Sequence, residues 1–561
     1  MVLIYLPVIL FVVIVPVLNE GVELPRSLVL ANLLILYAIF RPYHLRAKNK
    51  FHYLPFILPL LYLISAIVNG QNILNALFGG YNRNFGILTY LALALLYISV
   101  TNSEKADVSK LFKYALLPIS LLSLFYALIQ LYGSDFLNWA EKDKVLLTLG
   151  NSNFAASYLG IISPTFIYAY TKSKQSYWKF TYLFLFISLI FIGFMTGSFQ
   201  FRVIALISLA TFTLIYNYHY TLKFGNLKKL LVSIFVISLT TCYVVINRKS
   251  LNEFTSADDR ISQQVAGLKI FKDHPLFGVG VEELPRYMPR YITPQDIRRE
   301  GFNIVADKTH NSFVDHFANG GIFVGAAYIT FILFIIYAIF QLVKKSTAKN
   351  SELALISAIV ISYISQLFIN TDNILNMVIP YIAMGLISFE YKRIRNENLE
   401  NLVKLKYSNK IRAVFAIFFV LTLILSSRII ITDYKVREVL NGRIVNASEI
   451  ISVVNDWPNR RPTEKIIVKF AQDLRNCEFV EILTKRLLVV DPLSGQAWFV
   501  RGVCADALGD QKSALGYIKK AIIFQPLNIR YLYAQLELEE YLGLKEDAEA
   551  TSKLIDSILT S

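Results

Sequence analysis

Charge is scarce in this sequence. Asp, Glu, Lys and Arg make up 17% of its residues, against roughly a quarter in an ordinary soluble domain, which excludes a water-soluble globular protein. Cysteine is nearly missing, with three residues among 561, and their spacing fits neither a metal finger nor a disulfide framework. The first stretch, MVLIYLPVILFVVIVPVL, lacks a basic leader and a small-residue cleavage site. It is therefore expected to be a retained first span and not a removable signal peptide.

What fills the chain is apolar sequence. Hydrophobic residues reach 55% and the mean hydropathy is +0.49, values of a polytopic membrane protein. Runs long enough to cross a bilayer fall near residues 2–18, 25–40, 51–68, 85–100, 114–132, 154–170, 180–197, 203–218, 230–246, 321–342, 352–369, 374–389 and 413–432. The fold class expected is all-α, with about 12–13 membrane-spanning helices.

The formal charge of +16 is a statement about topology and not about nucleic acid, because basic residues of membrane proteins gather in cytoplasmic loops. Alternate loops carry the clusters, as at Arg41 to Lys50, Lys105 to Lys113, Lys172 to Lys179, Lys223 to Lys229, Lys344 to Lys349 and Lys392 to Arg412. The loops between them hold little beyond Arg26, Arg83, Lys142, Lys144 and Arg202. The positive-inside rule then places the 247–320 loop, and everything after the last span, on the outer side. Of the six histidines, His44, His52 and His219 fall on or near the cytoplasmic side, while His274, His310 and His316 lie in or beside the outer loop.

After residue 432 the apolar runs stop and a helical period begins, so residues 433–561 are expected to form a separate extracytoplasmic domain. The segment DPLSGQAWFVRGVCADALGDQKSALGYIKKAIIFQP resembles a tetratricopeptide repeat (TPR). Pro458, Pro492 and Pro526 recur at 34-residue intervals, as do Gly509 and Gly543, and Ala514 and Ala548. Such stacks present a surface for partners, here envelope proteins, but the repeating residues are packing residues and name no ligand. Cys477 at its repeat position is expected near a helix start and facing the surface, which argues against a disulfide with Cys504.

Within the outer loop, HPLFGVG and the later DKTHNSFVDHFANGGIFVGAAYI resemble the core motif of the O-antigen ligase and polymerase superfamily. FGGYNRNFGILTYL at 78–91, LGNSNFAASYL at 149–159 and TDNILN at 371–376 agree with it. The resemblance implies that residues 1–432 form a GT-C-like membrane glycosyltransferase in a bacterial inner membrane, active at its periplasmic face. Its donor would be an undecaprenyl-diphosphate-linked glycan, and its acceptor lipid A core, a polysaccharide or a protein hydroxyl. The implied reaction inverts the anomeric centre and uses no metal or other cofactor. A polysaccharide polymerase and a protein O-oligosaccharyltransferase share these motifs. A transporter or flippase, from a different class, would show ionisable residues at mid-span.

Displacing a lipid diphosphate builds negative charge on the leaving group. Without a metal, fixed cations must stabilise it, and arginine suits this because it stays charged and binds phosphate bidentately. Arg260, upstream of HPLFGVG, matches the family's arginine there; Arg83 and Arg202 follow as candidates. Relatives carry an arginine directly after the serine of the Arg202 segment, where this chain has Phe199. The acceptor hydroxyl needs a base, and His310, followed by Asn311, occupies the family's base position. Asp307 either orients that imidazole or caps the helix expected near Thr309. His274 is expected to be structural within a turn set by Pro275, Gly278 and Gly280. His316 with Asp315 forms no recognised metal constellation. Asn151 and Asn153 either bind glycan or diphosphate, or cap the helix they precede. Between Glu282 and Val305, Arg286, Arg290, Arg298 and Arg299 alternate with Tyr287 and Tyr291. This pattern suits an interfacial segment lying over the carrier or closing on the glycan.

Overall fold

With no water to satisfy backbone groups, a chain this apolar must fold as helices. The computed structural model describes residues 2–40, 53–103 except 82, 107–139 except 136 and 138, 144–218, 254–300, 306–346, 349–395, 409–456, 460–473 and 476–560. These are helical without a single strand. Seven helices are long and apolar enough to cross a membrane: Glu23–Phe40, Val108–Leu131, Ser176–Met195, Phe199–Tyr216, Ser312–Lys345, Ile374–Ile394 and Arg412–Leu440. Shorter apolar helices, Leu3–Val12, Leu54–Val68, Ile87–Thr101 and Ser351–Gln366, occupy four more of the expected spans. The expected span 154–170 is divided into Ser152–Ile162 and Thr165–Lys172, with Pro164 between. The span expected at 230–246 and the histidines His44, His52 and His219 lie outside the described residues.

The helices differ in how much apolar surface they hide. Ile374–Ile394 is buried along nearly its whole length at the centre of the bundle. Ser176–Met195 exposes Trp178, Phe180, Phe184, Ile187 and Phe191, a surface suited to lipid and not to water. Among the described residues, polar contacts from the two loop sets lie at opposite ends of the helices. At one end Lys172 pairs with Glu352 at 2.8 Å and Lys392 donates to Asn102 at 2.6 Å. At the other, Arg83 meets Asp307 and Arg260 donates to the Ile369 carbonyl.

The Ser312–Lys345 helix is broken at Gly321, whose φ is +70°. There the Asn319-Gly320-Gly321 backbone interlocks with HPLFGVG: Val279 N–H donates to Ala318 O at 3.0 Å, Gly280 N–H to Asn319 O at 2.9 Å, and Ile322 N–H to Pro275 O at 2.8 Å. A Cβ at Gly321 would sit 2.1 Å from Leu276 O, and one at Gly278 2.4 Å from Asn319 C. The two glycine-bearing motifs are therefore the halves of one backbone joint.

The last spanning helix continues without interruption to Leu440, so the boundary read at residue 432 falls inside a helix. Beyond it, helices including Cys477–Val490, Gly495–Ala507, Gln511–Phe524, Ile529–Tyr541 and Lys545–Thr560 pack each on the next around Val480, Leu483, Val500, Ala514 and Ile518. Cys477 starts its helix as expected, but it is 2% exposed and bonded to Cys504 across a Cα separation of 5.2 Å. The surface-facing placement read from the repeat pattern is thus corrected: Cys477 faces the neighbouring helix, which carries Cys504.

Candidate functional site

The pentapeptide Asp307 to Asn311 links the outer loop to the Ser312–Lys345 helix, and four of its five side chains are tied down. Asp307 accepts from Arg83 Nε at 2.8 Å and Nη2 at 3.0 Å. Lys308 pairs with Glu282; burial alone would lower its pKa, but Glu282 and Asp315 hold it above the ordinary value. Thr309 Oγ1 and its backbone N–H both donate to Asp315 Oδ1 at 2.9 Å. Asn311 caps the helix, its side-chain oxygen accepting from Phe313 N–H at 3.1 Å and Val314 N–H at 3.2 Å.

His310 is the exception. Its φ is +53°, in the left-handed region that few side chains adopt, and its Nδ1 is buried with no hydrogen-bond partner among the described residues. Burial, then the guanidiniums of Arg260 and Arg83, push the imidazole down to about 4, with Asp307 opposing them. The ring is thus neutral near pH 7. A strained backbone and an unpaired nitrogen, held among fixed neighbours, are marks of a functional position.

Arg260 reaches this place from the Phe254–Asp273 helix. It donates to Ile369 O at 3.2 Å, and Gln200, with its carboxamide oxygen turned to the guanidinium, accepts from Nη1 at 2.7 Å and Nη2 at 3.0 Å. Gln264, on the same helix, accepts from Asn311 Nδ2 at 3.4 Å. Asn153 accepts from Ser198 Oγ at 2.7 Å, while Asn151 caps the helix that follows. Arg83, Asp307, His310, Asn311, Arg260 and Asn153 are therefore assembled at one end of the bundle from four separate segments of chain.

Other predicted residues are placed elsewhere. Asp307 neither caps the helix, which begins at Ser312 behind Asn311, nor hydrogen-bonds His310 Nδ1. Its charge raises the basicity of the ring. Arg202 lies with its guanidinium 5.7 Å from the Phe194 ring centre and 5.9 Å from that of Phe199, and no hydrogen bond or ion pair joins it to the site among the described residues. Arg286 pairs with Glu283 at 2.6 Å and with Asp491 of the C-terminal helices. Tyr291 donates to Asp273 at 2.7 Å. The segment carrying them does not present a free amphipathic face. Arg290 stacks on Phe524 at 5.1 Å, Arg298 donates to Ile558 O at 2.7 Å, and Ile297 packs with Ile529, Leu532 and Ile555.

His274 meets the edge of Tyr287 at 5.4 Å, as expected of a turn residue. His316 is 2% exposed, with Nδ1 2.6 Å from Tyr62 OH and its ring 3.9 Å from that of Tyr328. It is a core residue. Gln200, Glu282 and Asp372 also belong to the site's surroundings, and Asp372 is pushed up to about 6 by burial. Sequence reading meets Asp372 only within TDNILN and gives none of the three a role, because a single polar residue beside an apolar run carries no signal until its partners are known.

Comparison with protein families bears on the same stretch. Residues 144–329 match the family model described as O-antigen ligase, which includes Arg202, Arg260, Asp307, His310 and Asn311. The resemblance carried by HPLFGVG and DKTHN holds there and points to a membrane glycosyltransferase-like function. Arg83 and TDNILN lie outside the matched residues, yet Arg83 is bound to Asp307 and its Nη1 is 3.5 Å from Thr371 Oγ1. No curated protein sequence matches the chain.

Proposed function

We propose that the chain transfers a glycan from an undecaprenyl-diphosphate carrier to an acceptor hydroxyl, with His310 as the base and Arg260 as the diphosphate ligand. The reading is supported above all by one observation: a neutral imidazole, its Nδ1 buried without a hydrogen-bond partner among the described residues, lies within reach of the charges of Arg260, Arg83 and Asp307. In the reaction the acceptor oxygen bonds to the anomeric carbon as the carbon–oxygen bond to diphosphate breaks. The hydroxyl proton passes to His310, and the diphosphate leaves against Arg260 with inversion. Metal-independence follows from fixed cations serving where a divalent ion otherwise would.

The electrostatics suit the order of events. In the free protein the two arginines depress the imidazole and leave it a weak base. A bound diphosphate offsets the charge of Arg260, so basicity rises when the donor arrives. Asn311 and Asn153 stand as further donors toward glycan or diphosphate, and Arg83 chiefly positions the His310 loop. In this reading the active face is periplasmic and the C-terminal helices form a TPR-like extracytoplasmic unit.

His310→Ala should abolish transfer from a lipid-linked glycan while the protein stays folded in the membrane, and chelator should have no effect. Wild-type turnover by that variant would remove the base assignment. The buried carboxylates Glu20, Glu23 and Asp433 do converge, but Glu20 and Glu23 lie just before and at the start of the Glu23–Phe40 helix and Asp433 in the last third of the Asn409–Leu440 helix, so they give a transporter no mid-span site. Ligase, polymerase and protein O-oligosaccharyltransferase differ in the acceptor. A panel of lipid, polysaccharide and peptide acceptors, read by which gains mass, separates them.

A further inference from the structure

Ser312, Asn319 and Asp372 line one cavity, and each carries a buried oxygen with no hydrogen-bond partner among the described residues: Oγ of Ser312, Oδ1 of Asn319 and Oδ1 of Asp372. Ser312 starts the Ser312–Lys345 helix, Asn319 belongs to the glycine joint, and Asp372 comes from TDNILN. Ser312 and Asn319 are each 3% exposed, so bulk water does not reach them. The Asn319 carboxamide is held in one orientation by its Nδ2, which donates to Asp315 O at 2.9 Å, and its oxygen is the orphaned atom. Buried polar groups in native proteins are satisfied by something. The cavity leaves about 20 Å³ for a water-sized occupant, where roughly 10–15 Å³ suffices for one.

Charge selects the occupant. Three carboxylates line the cavity, Glu282, Asp315 and Asp372, against the ammonium of Lys308, while His316 is engaged by Tyr62 OH at 2.6 Å. Ser312 and Ile374 begin helices, and each helix start contributes about half a positive charge. About one negative charge is left over, which a water molecule does not neutralise and a divalent ion overshoots. A carboxylate, a carboxamide oxygen and a hydroxyl are hard ligands for a hard cation. The space admits none of the waters that Mg²⁺ retains, whereas a sodium ion is no larger than the water it replaces. We propose that this cavity is a sodium site, with Asp372 Oδ1, Asn319 Oδ1 and Ser312 Oγ as ligands. The ion ties the start of the helix after His310 to TDNILN and to the glycine joint. Its role is structural and it is not a reactant, so a chelator of divalent ions leaves it in place. The site does not depend on the transferase reading.

The test is thermal unfolding of the purified full-length protein in detergent, with sodium chloride exchanged for choline chloride at constant ionic strength. A ligand that binds only the folded state raises Tm with its concentration, so Tm should climb by at least about 2 °C between about 1 and 300 mM sodium and then level off. Potassium, the larger ion, should raise it less. Asp372→Asn and Asn319→Leu should each abolish the sodium-specific rise. Ser312→Ala, the mildest change, should move its midpoint at least about tenfold higher in sodium, and it keeps the proposal testable if the other two fail to fold. A Tm that is the same in sodium and choline overturns the proposal and assigns the cavity to water. So does a sodium-specific rise that persists unchanged in the folded variants, and an equal rise with potassium overturns the choice of sodium. The readout involves no glycan, so its failure and a failure of the transferase reading are told apart.

Discussion

Arg83 holds Asp307 with two parallel contacts, Nε to Oδ2 at 2.8 Å and Nη2 to Oδ1 at 3.0 Å, across 224 residues of sequence. The pair joins the loop before the Ile87–Thr101 helix to the loop carrying His310. Its bidentate geometry fixes both direction and distance. Removing Asp307 takes from the part-buried Arg83 its ion-pair partner, and removing Arg83 takes from Asp307 its bidentate one. Asp307→Asn and Arg83→Ala should each lower turnover about tenfold to a hundredfold through misplacement of His310. A double-mutant cycle read by unfolding in detergent should give a coupling of about 1–3 kcal/mol. Additive effects would show that the pair does not act as a unit.

The acid limb of the activity profile should report His310. The base works when neutral, and its value of about 4 in the free protein keeps it neutral above about pH 5. The kcat/KM profile should therefore fall only as pH drops toward 4. Arg260→Gln removes a depressing charge, so its limb should move upward toward the ordinary 6.5. A limb that stays near 4 in that variant would mean that Arg260 does not act on the ring.

Gly321→Ala should destabilise the protein by at least about 3 kcal/mol. The new Cβ would lie 2.1 Å from Leu276 O at a backbone with φ of +70°, and the joint between the two motifs would have to open. Thermal unfolding in detergent would read the loss, and a near-neutral shift would contradict the interlock.

Glu20 sets a pH dependence of opposite sense to that of most carboxylates. Burial, aided by the neighbouring charge of Asp433, pushes it up to about 8 from 4.5, although Asn84 donates to it. The folded state thus holds a proton between about 4.5 and 8 that the unfolded chain has released. Stability contributed by this group falls as pH rises through that window, by up to a few kcal/mol. Glu20→Gln should flatten the dependence and exceed wild type in stability at pH 8. Parallel curves for the two proteins would show that Glu20 does not titrate in this range.

The Cys477–Cys504 bond closes a separation of 27 residues, worth about 3 kcal/mol to the C-terminal helices. Reduction, or paired replacement by serine, should lower their unfolding midpoint.

The sequence by itself determined the all-helical membrane class and most of the spans, and it supplied the motif on which the reading of His310 rests. These are readable because hydrophobic runs are a local property, and because DKTHN is a contiguous motif. Tertiary structure decided everything that depends on who meets whom. It matched Asp307 with Arg83, gave Arg260 the Ile369 carbonyl and Gln200, and spent Arg286 on Asp491 of the C-terminal helices. It also turned Cys477 inward to Cys504. The physical reason is the same in each case. A side chain's charge state and role follow from burial and from neighbours brought in across hundreds of residues, and neither quantity exists before the helices pack.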